Sequence, residues 1–517
     1  MQNAKNTHTH RFLFLTLMAC TWLLTTFKIK TYDLWLLLID GKVWLENPTL
    51  KIIDHLSFSV SGMPYINQEW LIEPVMYLIY MVSGFAGMIT VKTVLVALIL
   101  LIIWRHMLCR GANVYALFWI LLLTIFLCRF RLTVRPQVFS FALIAYLSTQ
   151  LYAFKIGKRE SLWFVVPLMF VWTNLHFGSL LGLILLGTYL VAAAMALYIP
   201  SLFDGNLKHP VTQKMVNHLG AVLGLSALAC VFTPAGFEFF TMPLEATYMA
   251  LKYRVLECLP PRDLPYQLFP LFWFTLTFYT AVIFATIRKI DIFDLLVFLM
   301  AASLGLKMVR FFAEFAILAA PVIIQQISLL LTDTKFSEGM KKLFTNRILV
   351  AAVSLGLILL VLTSNHPQMK KFQFGYGVNK DMQPYGAANF IKANKLKGNI
   401  FNDINWGGFL AFDLYPDNKI FMHGRYTAFG DIIYDTYYRL LAGTEEWQTV
   451  LNQYNVDIVV LSKKLASKSI LTAQLSAAPN WHLVFTDQNS LVFIRNKPEF
   501  RETIQIFGYK VTVQKAE

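Results

Sequence analysis

Long apolar runs, separated by short polar and basic stretches, dominate the chain as far as residue 363. After a polar, basic start at Met1 to Arg11, the first apolar run covers 12–27. Others lie at roughly 71–85, 87–104, 114–128, 138–154, 161–174, 177–199, 219–232, 268–287, 292–306, 311–331 and 347–363. Such runs read as helices that cross a bilayer, which takes about 20 apolar residues for a perpendicular span. Several are shorter than that, and short or broken helices line cavities in such proteins. The pattern predicts a polytopic α-helical membrane protein with about 11–13 transmembrane helices. The first run looks like a signal peptide, but Met18 fits the box Leu17-Met18-Ala19-Cys20 poorly and no small-x-small site follows, so an uncleaved first span is expected.

Two regions break the pattern: a polar loop at 28–70 and a tail at 364–517. This divides the chain into a membrane domain, 1–363, and a C-terminal α/β domain, 364–517. In the tail, short apolar runs predict strands at 399–401, 419–422, 457–461, 481–486 and 491–495, with Gln488-Asn489 as a hairpin turn. Helical spacing appears at 384–394, 445–454 and 469–477, the second with Thr444 as its cap and Trp447 and Leu451 on its apolar side. There is no G-x-G-x-x-G and no internal repeat. The first removes support for nucleotide binding, and the second weakens a transporter built of duplicated halves.

Composition agrees with a membrane protein. Of the 517 residues 57% are hydrophobic and 15% charged, against about 45–50% and ~25% in soluble domains. The net charge of +15 sits in clusters between apolar runs, as in cytoplasmic loops, and so does not point to nucleic acid. Five cysteines without a CxxC indicate neither a disulfide framework nor a zinc site. Lys5/Arg11, Arg105/Arg110, Lys155/Lys158/Arg159 and Lys335/Lys341/Lys342/Arg347 all read as cytoplasmic, which puts the N-terminus inside and the tail outside the cytoplasmic membrane. Twelve runs give the wrong parity between 28 and 104. Reading Trp70 to Tyr80 as an interfacial or re-entrant helix leaves eleven spans; splitting a run elsewhere is the other repair.

Several residues bear chemistry. Asp33 follows the first span at the outer boundary, where partial desolvation suits a general base; an N-cap for a helix over 34–45 is the structural alternative. Asp54, His55 and Glu69 share the same loop, and three acids with a histidine can hold a divalent cation, although their spacing matches no known cage. Arg131, Arg135 and Arg310, with Lys252, Arg254 and Lys307, put positive charge on the outer side. Guanidinium binds a lipid phosphate bidentately; ion pairs to Glu238, Glu245, Glu257 or Glu314, or snorkelling, are the alternatives. His176, in Asn174-Leu175-His176, reads as a helix-end residue or a ligand. Trp406 and His423-Gly424-Arg425 lie at strand ends, where binding groups collect.

Asp33-Leu34-Trp35, Gly41, the Asp54–Ser59 stretch, Glu69-Trp70-Leu71, Val134-Arg135-Pro136-Gln137, Asn174-Leu175-His176 and Arg310, in this order, resemble bacterial integral-membrane proteins related to GT-C glycosyltransferases. The tail, with Trp406-Gly407-Gly408 and Gly424-Arg425, looks like the outer domain such proteins carry. The resemblance implies a GT-C-like fold with an extracytoplasmic C-terminal domain. It also implies transfer of a sugar from a polyprenyl-phosphate donor to a glycan, lipid or protein acceptor of the cell envelope. In that reading Asp33 is the catalytic base or acceptor-binding group, with Asp54 the second candidate. Arg131, Arg135 and Arg310 hold the donor phosphate, and Glu69, His176, Trp406 and Arg425 bind substrate. No cofactor is called for beyond a divalent cation as an option. The chain departs from its relatives at Leu36 and Leu37, at His423 where an Asp is usual, and at Thr233 before Pro234. Two other readings stay open: a lipid or polysaccharide transporter or flippase, which a basic cavity in a helix bundle would serve equally, and a non-catalytic scaffold derived from the same fold, which those departures support.

Overall fold

The computed structural model describes residues 2–49, 52–199, 210–332, 338–339, 342, 346–363, 373–425, 428–444 and 446–508. Lys335, Lys341 and the start of the tail at Ser364 therefore lie outside the described residues. The chain divides into two compact units, one of residues 1–29 with 83–377 and the other of 30–82 with 378–517.

In the first unit the apolar runs form helices. They include Gln2–Thr25, Val114–Cys128, Gln137–Lys155, Val165–Leu175, Ser179–Tyr198, Gln213–Ala229, Pro270–Thr286, Ile292–Lys307, Phe312–Thr332 and Arg347–Thr363. The runs at 71–85 and 87–104 belong to one stretch, Ile72–Cys109, interrupted at Gly84 with φ 60° and ψ −161°. Only glycine takes that conformation without steric cost, so the helix breaks there. The segment from Ile72 to the break, which covers most of Trp70 to Tyr80, is therefore a helix of its own ahead of the kink, and it belongs to the second unit. Among the described residues, four helical stretches are long and apolar enough to cross a membrane: Ile72–Cys109, Gln137–Lys155, Ser179–Tyr198 and Val309–Thr332. Phe312–Thr332 is buried along most of its length and packs against Val114–Cys128, Pro270–Thr286 and Ile292–Lys307. A helix apolar on all sides belongs at such a centre. Phe272 stacks on Phe312 there, with ring centroids 3.8 Å apart.

The second unit is built on a sheet. A short antiparallel pair, β1 (Ile52–Ile53) and β2 (Pro64–Tyr65), lies in the early segment. The main strands are β3 (Gly398–Asn402), β4 (Asn418–Ile420), β5 (Val456–Ser462), β6 (Trp481–Thr486) and β7 (Ser490–Arg495), in the order β4-β3-β5-β7-β6. β3 runs parallel to β4 and β5, while β7 is antiparallel to β5 and β6. All five expected strands form, as do helices Tyr385–Ala393, Trp447–Gln453 and Ile470–Ala477. The hairpin turn is held by Asp487, whose Oδ1 accepts from the Asn489 and Ser490 N–H groups at 2.8 and 2.7 Å. Thr444 is not the cap of its helix: the N-cap is Glu446, without a side-chain hydrogen bond.

Helix Asp33–Glu46 buries Leu34 through Ile39 against helix Gly407–Leu414, where Trp35 meets Phe409 edge-on at 5.0 Å. Two glycines permit the close packing around this pair. A Cβ on Gly41 would sit 2.3 Å from the Glu73 carbonyl oxygen, and one on Gly407 2.2 Å from that of Met422. Residues 56–59 run along β4: the Ile420 N–H donates to Leu56 O and the Phe58 N–H to Ile420 O, each at 3.0 Å, and the Ser59 hydroxyl donates to Phe421 O.

Candidate functional site

Of the nine expected site residues, six fall into two constellations, one in each unit: Arg131, Arg135, Arg310 and His176 in the first, Asp54 and Arg425 in the second. In the first unit, Arg131 and Arg135 lie in the turn between helices Val114–Cys128 and Gln137–Lys155, and Arg310 in the turn before Phe312–Thr332. Arg131 pairs with Glu257 at 2.5 Å and Arg135 reaches the same carboxylate oxygen at 3.8 Å. Arg310 contacts the neighbouring Cys258 sulfur at 3.8 Å. Burial favours protonating Glu257, but Arg131, Arg135 and Arg310 outweigh it and hold the carboxyl at about 2. Arg131 also donates to Gln137 Oε1 at 2.5 Å, and Gln137 returns a bond to the Arg131 carbonyl at 2.6 Å. Of the four acids the sequence offers as partners, Glu257 pairs with Arg131 and Arg135. Glu314 acts on Arg131 and Arg310 through charge. Three guanidinium groups against these two acids leave positive charge in excess.

His176 belongs to this constellation. It is the C-cap residue of helix Val165–Leu175. Its Nδ1 accepts from the Gly178 N–H at 3.0 Å and lies 2.9 Å from the Ser140 hydroxyl, which in turn accepts from the Trp172 indole N–H at 2.8 Å. Burial, then the charges of Arg310, Arg131 and Arg135, push its pKa down to about 3, so the ring is neutral at pH 7. The helix-end role expected of it is present, beside three of the arginines named with it.

These groups share one end of the first unit's helices. The other end has its own charge layer: Arg110 pairs with Asp294 at 2.7 Å and Lys155 with Asp291 at 2.6 Å. Helix Gln137–Lys155 runs from the first layer to the second, and its 19 residues span about 28 Å at 1.5 Å per residue.

In the second unit the loops after β4 and the 54–73 segment surround a cavity of ≈290 Å³. Arg425 pairs with both Asp40 and Glu73, and Asn67 donates to the other Glu73 oxygen. Asp54 Oδ1 accepts from the Leu56 and Ser57 N–H groups at 2.9 and 2.7 Å. His423 Nδ1 accepts from the Arg425 N–H at 3.3 Å, which leaves Nε2 to donate to Asp54 Oδ2 at 3.4 Å. Burial raises the Asp40 pKa, against Arg425 and His423. It also acts to raise that of Asp54, but the bonds from His423 and Ser57 prevail and lower it. Asn402 clips the exit of β4 to that of β3: its amide donates to Met422 O at 2.9 Å and its oxygen accepts from the Phe421 N–H at 3.0 Å.

Asp54 and Arg425 therefore line the cavity, together with Asp40, Glu73 and His423. Asp33 is exposed and does not line it. It is the first residue of its helix, one place inside the N-cap Tyr32, which corrects the capping alternative. An acid in that first turn suits the helix dipole. Glu69 is half-buried outside the lining. Trp406 is buried, with its indole N–H donating to Met382 O at 2.9 Å. Among the described residues no group of three or more His, Cys, Asp or Glu is placed to hold a metal ion. Sequence reasoning missed Asp40 and Glu73. The signal for Asp40 was an acid inside the otherwise apolar stretch Leu34–Leu45, seven residues after Asp33 and so on the same helix face.

No family model matches the chain, and no curated protein matches it in sequence. Solved structures do match in fold. One is the oligosaccharyltransferase AglB of Archaeoglobus fulgidus in complex with an inhibitory peptide and a dolichol-phosphate. It is 9% identical, with a TM-score of 0.59 over 95% of this chain and 75% of that one. Another is the Archaeoglobus fulgidus oligosaccharyltransferase tethered to an acceptor peptide containing the NVT sequon, 10% identical, with a TM-score of 0.52 over 95% and 74%. The fold is thus like that of AglB.

Proposed function

We propose that the protein is a glycosyltransferase that moves a sugar from a polyprenyl-phosphate donor to an envelope acceptor at the outer face of the cytoplasmic membrane. The observation that carries this reading is the cluster of Arg131, Arg135 and Arg310 around Glu257, in a chain whose fold is like that of AglB. An arginine cluster with positive charge in excess at the end of apolar helices suits a phosphate on a lipid tail. Arg135 and Arg310 hold that phosphate and stabilise the negative charge that grows on it as the bond from the anomeric carbon to the phosphate oxygen breaks. Asp33, with Asp54 as the second candidate, takes the proton from the acceptor hydroxyl, and the sugar inverts. The span count of about 11–13, an inside N-terminus and an extracytoplasmic C-terminal domain belong to the same reading.

The test is a transfer assay with the reconstituted protein and a panel of polyprenyl-phosphate sugars. Arg310→Ala is the informative variant, because Arg310 is outside the Arg131–Glu257 and Arg135–Glu257 pairs. It should lower kcat about 10²–10³-fold, the scale for one lost charge-stabilising donor. Product at the wild-type rate from this variant removes the phosphate role. No product from any donor favours a second reading, a non-catalytic binder. One observation supports that alternative: Asp40, Glu73 and Asp54 are all engaged within the protein, by Arg425 and His423.

A further inference from the structure

The two constellations differ in charge, and the difference bears on what each accepts. The arginine cluster is positive. The cavity of the second unit carries no such excess: Asp40, Glu73 and Asp54 line it with one permanent cation, Arg425, and burial raises the pKa of Asp40 and Glu73, which lowers their charge, while Asp54 stays ionised. An anionic phosphate is poorly matched there, because the one permanent cation of the lining is already engaged by Asp40 and Glu73. A simple cation is poorly matched too, because Arg425 and the His423 N–H already engage these carboxylates. What remains available is lone pairs on carboxylates fixed in direction, which accept hydrogen bonds from neutral hydroxyls.

The walls add a second requirement. Trp44 and Tyr415 give the cavity aromatic surface, and Trp44 is braced by Trp70 at 6.1 Å between centroids. The indole N–H of Trp44 is buried and has no hydrogen-bond partner among the described residues. A buried donor left without a partner costs about 1–3 kcal/mol, and a ligand oxygen relieves that cost. The ring face meanwhile packs against C–H groups. Directed carboxylates, an amide, an aromatic wall and a waiting N–H together match a pyranose, with its equatorial hydroxyls and apolar ring faces. The volume of ≈290 Å³ is at the lower edge of small-molecule pockets, about 300–1,000 Å³, and so takes one ring rather than a chain. The lining residues Asn47, Thr49 and His55 are exposed, which gives the cavity an open rim.

We propose that this cavity is a carbohydrate subsite that binds a single neutral pyranose unit of the acceptor. Its identification as acceptor rests on the transferase reading above; the binding itself does not. The acceptor is then a glycan or glycoside, held by a unit that rejects the charged end of the donor.

The full-length protein in nanodiscs is examined by saturation-transfer NMR with methyl β-glucoside, methyl α-mannoside and methyl N-acetyl-β-glucosaminide, and with glucose 1-phosphate as the anionic probe. At least one neutral glycoside should receive saturation through its ring protons, and glucose 1-phosphate should receive none. The signal should be lost in Trp44→Ala. It should also be lost in Asn47→Trp, which fills the exposed rim and leaves the buried ion pairs in place. No saturation of any neutral glycoside, an unchanged signal in both variants, or preference for the phosphate overturns the proposal. The assay contains no lipid donor, so its outcome is separate from that of the transfer assay. Active wild-type transferase with an empty cavity leaves the function standing and removes this subsite.

Discussion

His176 is neutral because of its surroundings, and this has a consequence in pH. Its folded pKa, about 3, lies below the ordinary 6.5, owing to burial and then to Arg310, Arg131 and Arg135. Above pH 6.5 the ring is neutral in both the folded and unfolded chain and contributes no pH dependence. Between 6.5 and about 3 the unfolded chain takes a proton that the folded one refuses, so stability falls as the pH falls. The Nδ1 that accepts from Gly178 is also the atom a proton would occupy. Thermal unfolding between pH 7 and 4 should show this loss in the wild type and a flatter profile in His176→Asn, whose side-chain oxygen still offers an acceptor. Equal slopes would remove His176 as the titrating group. The sequence made the helix-end role of this histidine legible, since Asn174-Leu175-His176 joins two apolar runs. It did not reveal that Asp40 and Arg425 pair, because 385 residues separate them and periodicity reports only on neighbours a few places apart.

The elements were more legible than their contacts. Apolar period and turn residues located the five strands of the second unit's main sheet and the helices Tyr385–Ala393, Trp447–Gln453 and Ile470–Ala477, because each signal is local, but missed Gly407–Leu414 and Gly430–Leu441. What the pattern could not give was the fit between elements, and here glycine decides. Gly41 lets helix Asp33–Glu46 touch the backbone at Glu73, and Gly407 lets the turn after β3 pass the Met422 carbonyl. The resemblance to GT-C relatives included both glycines, and the structure supplies the steric reason. A methyl group at either position meets backbone atoms that cannot yield without shifting an element. Gly41→Ala and Gly407→Ala should each destabilise the second unit by about 1–3 kcal/mol, as overpacking does. Gly224→Ala, where nothing lies within 4 Å of the added carbon, should be neutral or slightly stabilising, as alanine is the better helix former. Denaturant unfolding followed by limited proteolysis of residues 378–508 distinguishes these. Equal stability of all three variants would refute the packing argument.

At the scale of the first unit, the two charge layers identify opposite faces. Helix Gln137–Lys155 begins beside Arg131 and Arg135 and ends at Lys155, and helix Ile292–Lys307 begins at the Asp291/Asp294 layer and leads to Arg310. A rise of about 28 Å over the first of these is close to the ~30 Å of bilayer hydrocarbon. The two layers then lie at its two boundaries. Arg105, Arg110, Lys155, Lys158 and Arg159 gather at one of them, and an excess of Lys and Arg marks the cytoplasmic side. On the proposed reading the Arg131–Arg135–Arg310 cluster is then expected outside, where a lipid-linked donor would meet it. Cys109 is a natural reporter of the basic face. It is exposed next to Arg110, whereas Cys20, Cys128, Cys230 and Cys258 are buried. In sealed right-side-out vesicles a membrane-impermeant maleimide should leave Cys109 unlabelled until detergent is added. Arg262→Cys, at an exposed position four residues beyond Cys258, should be labelled at once. Immediate labelling of Cys109 with protection of the Cys at 262 would invert the orientation, and with it the access of an outer-leaflet donor to the arginines.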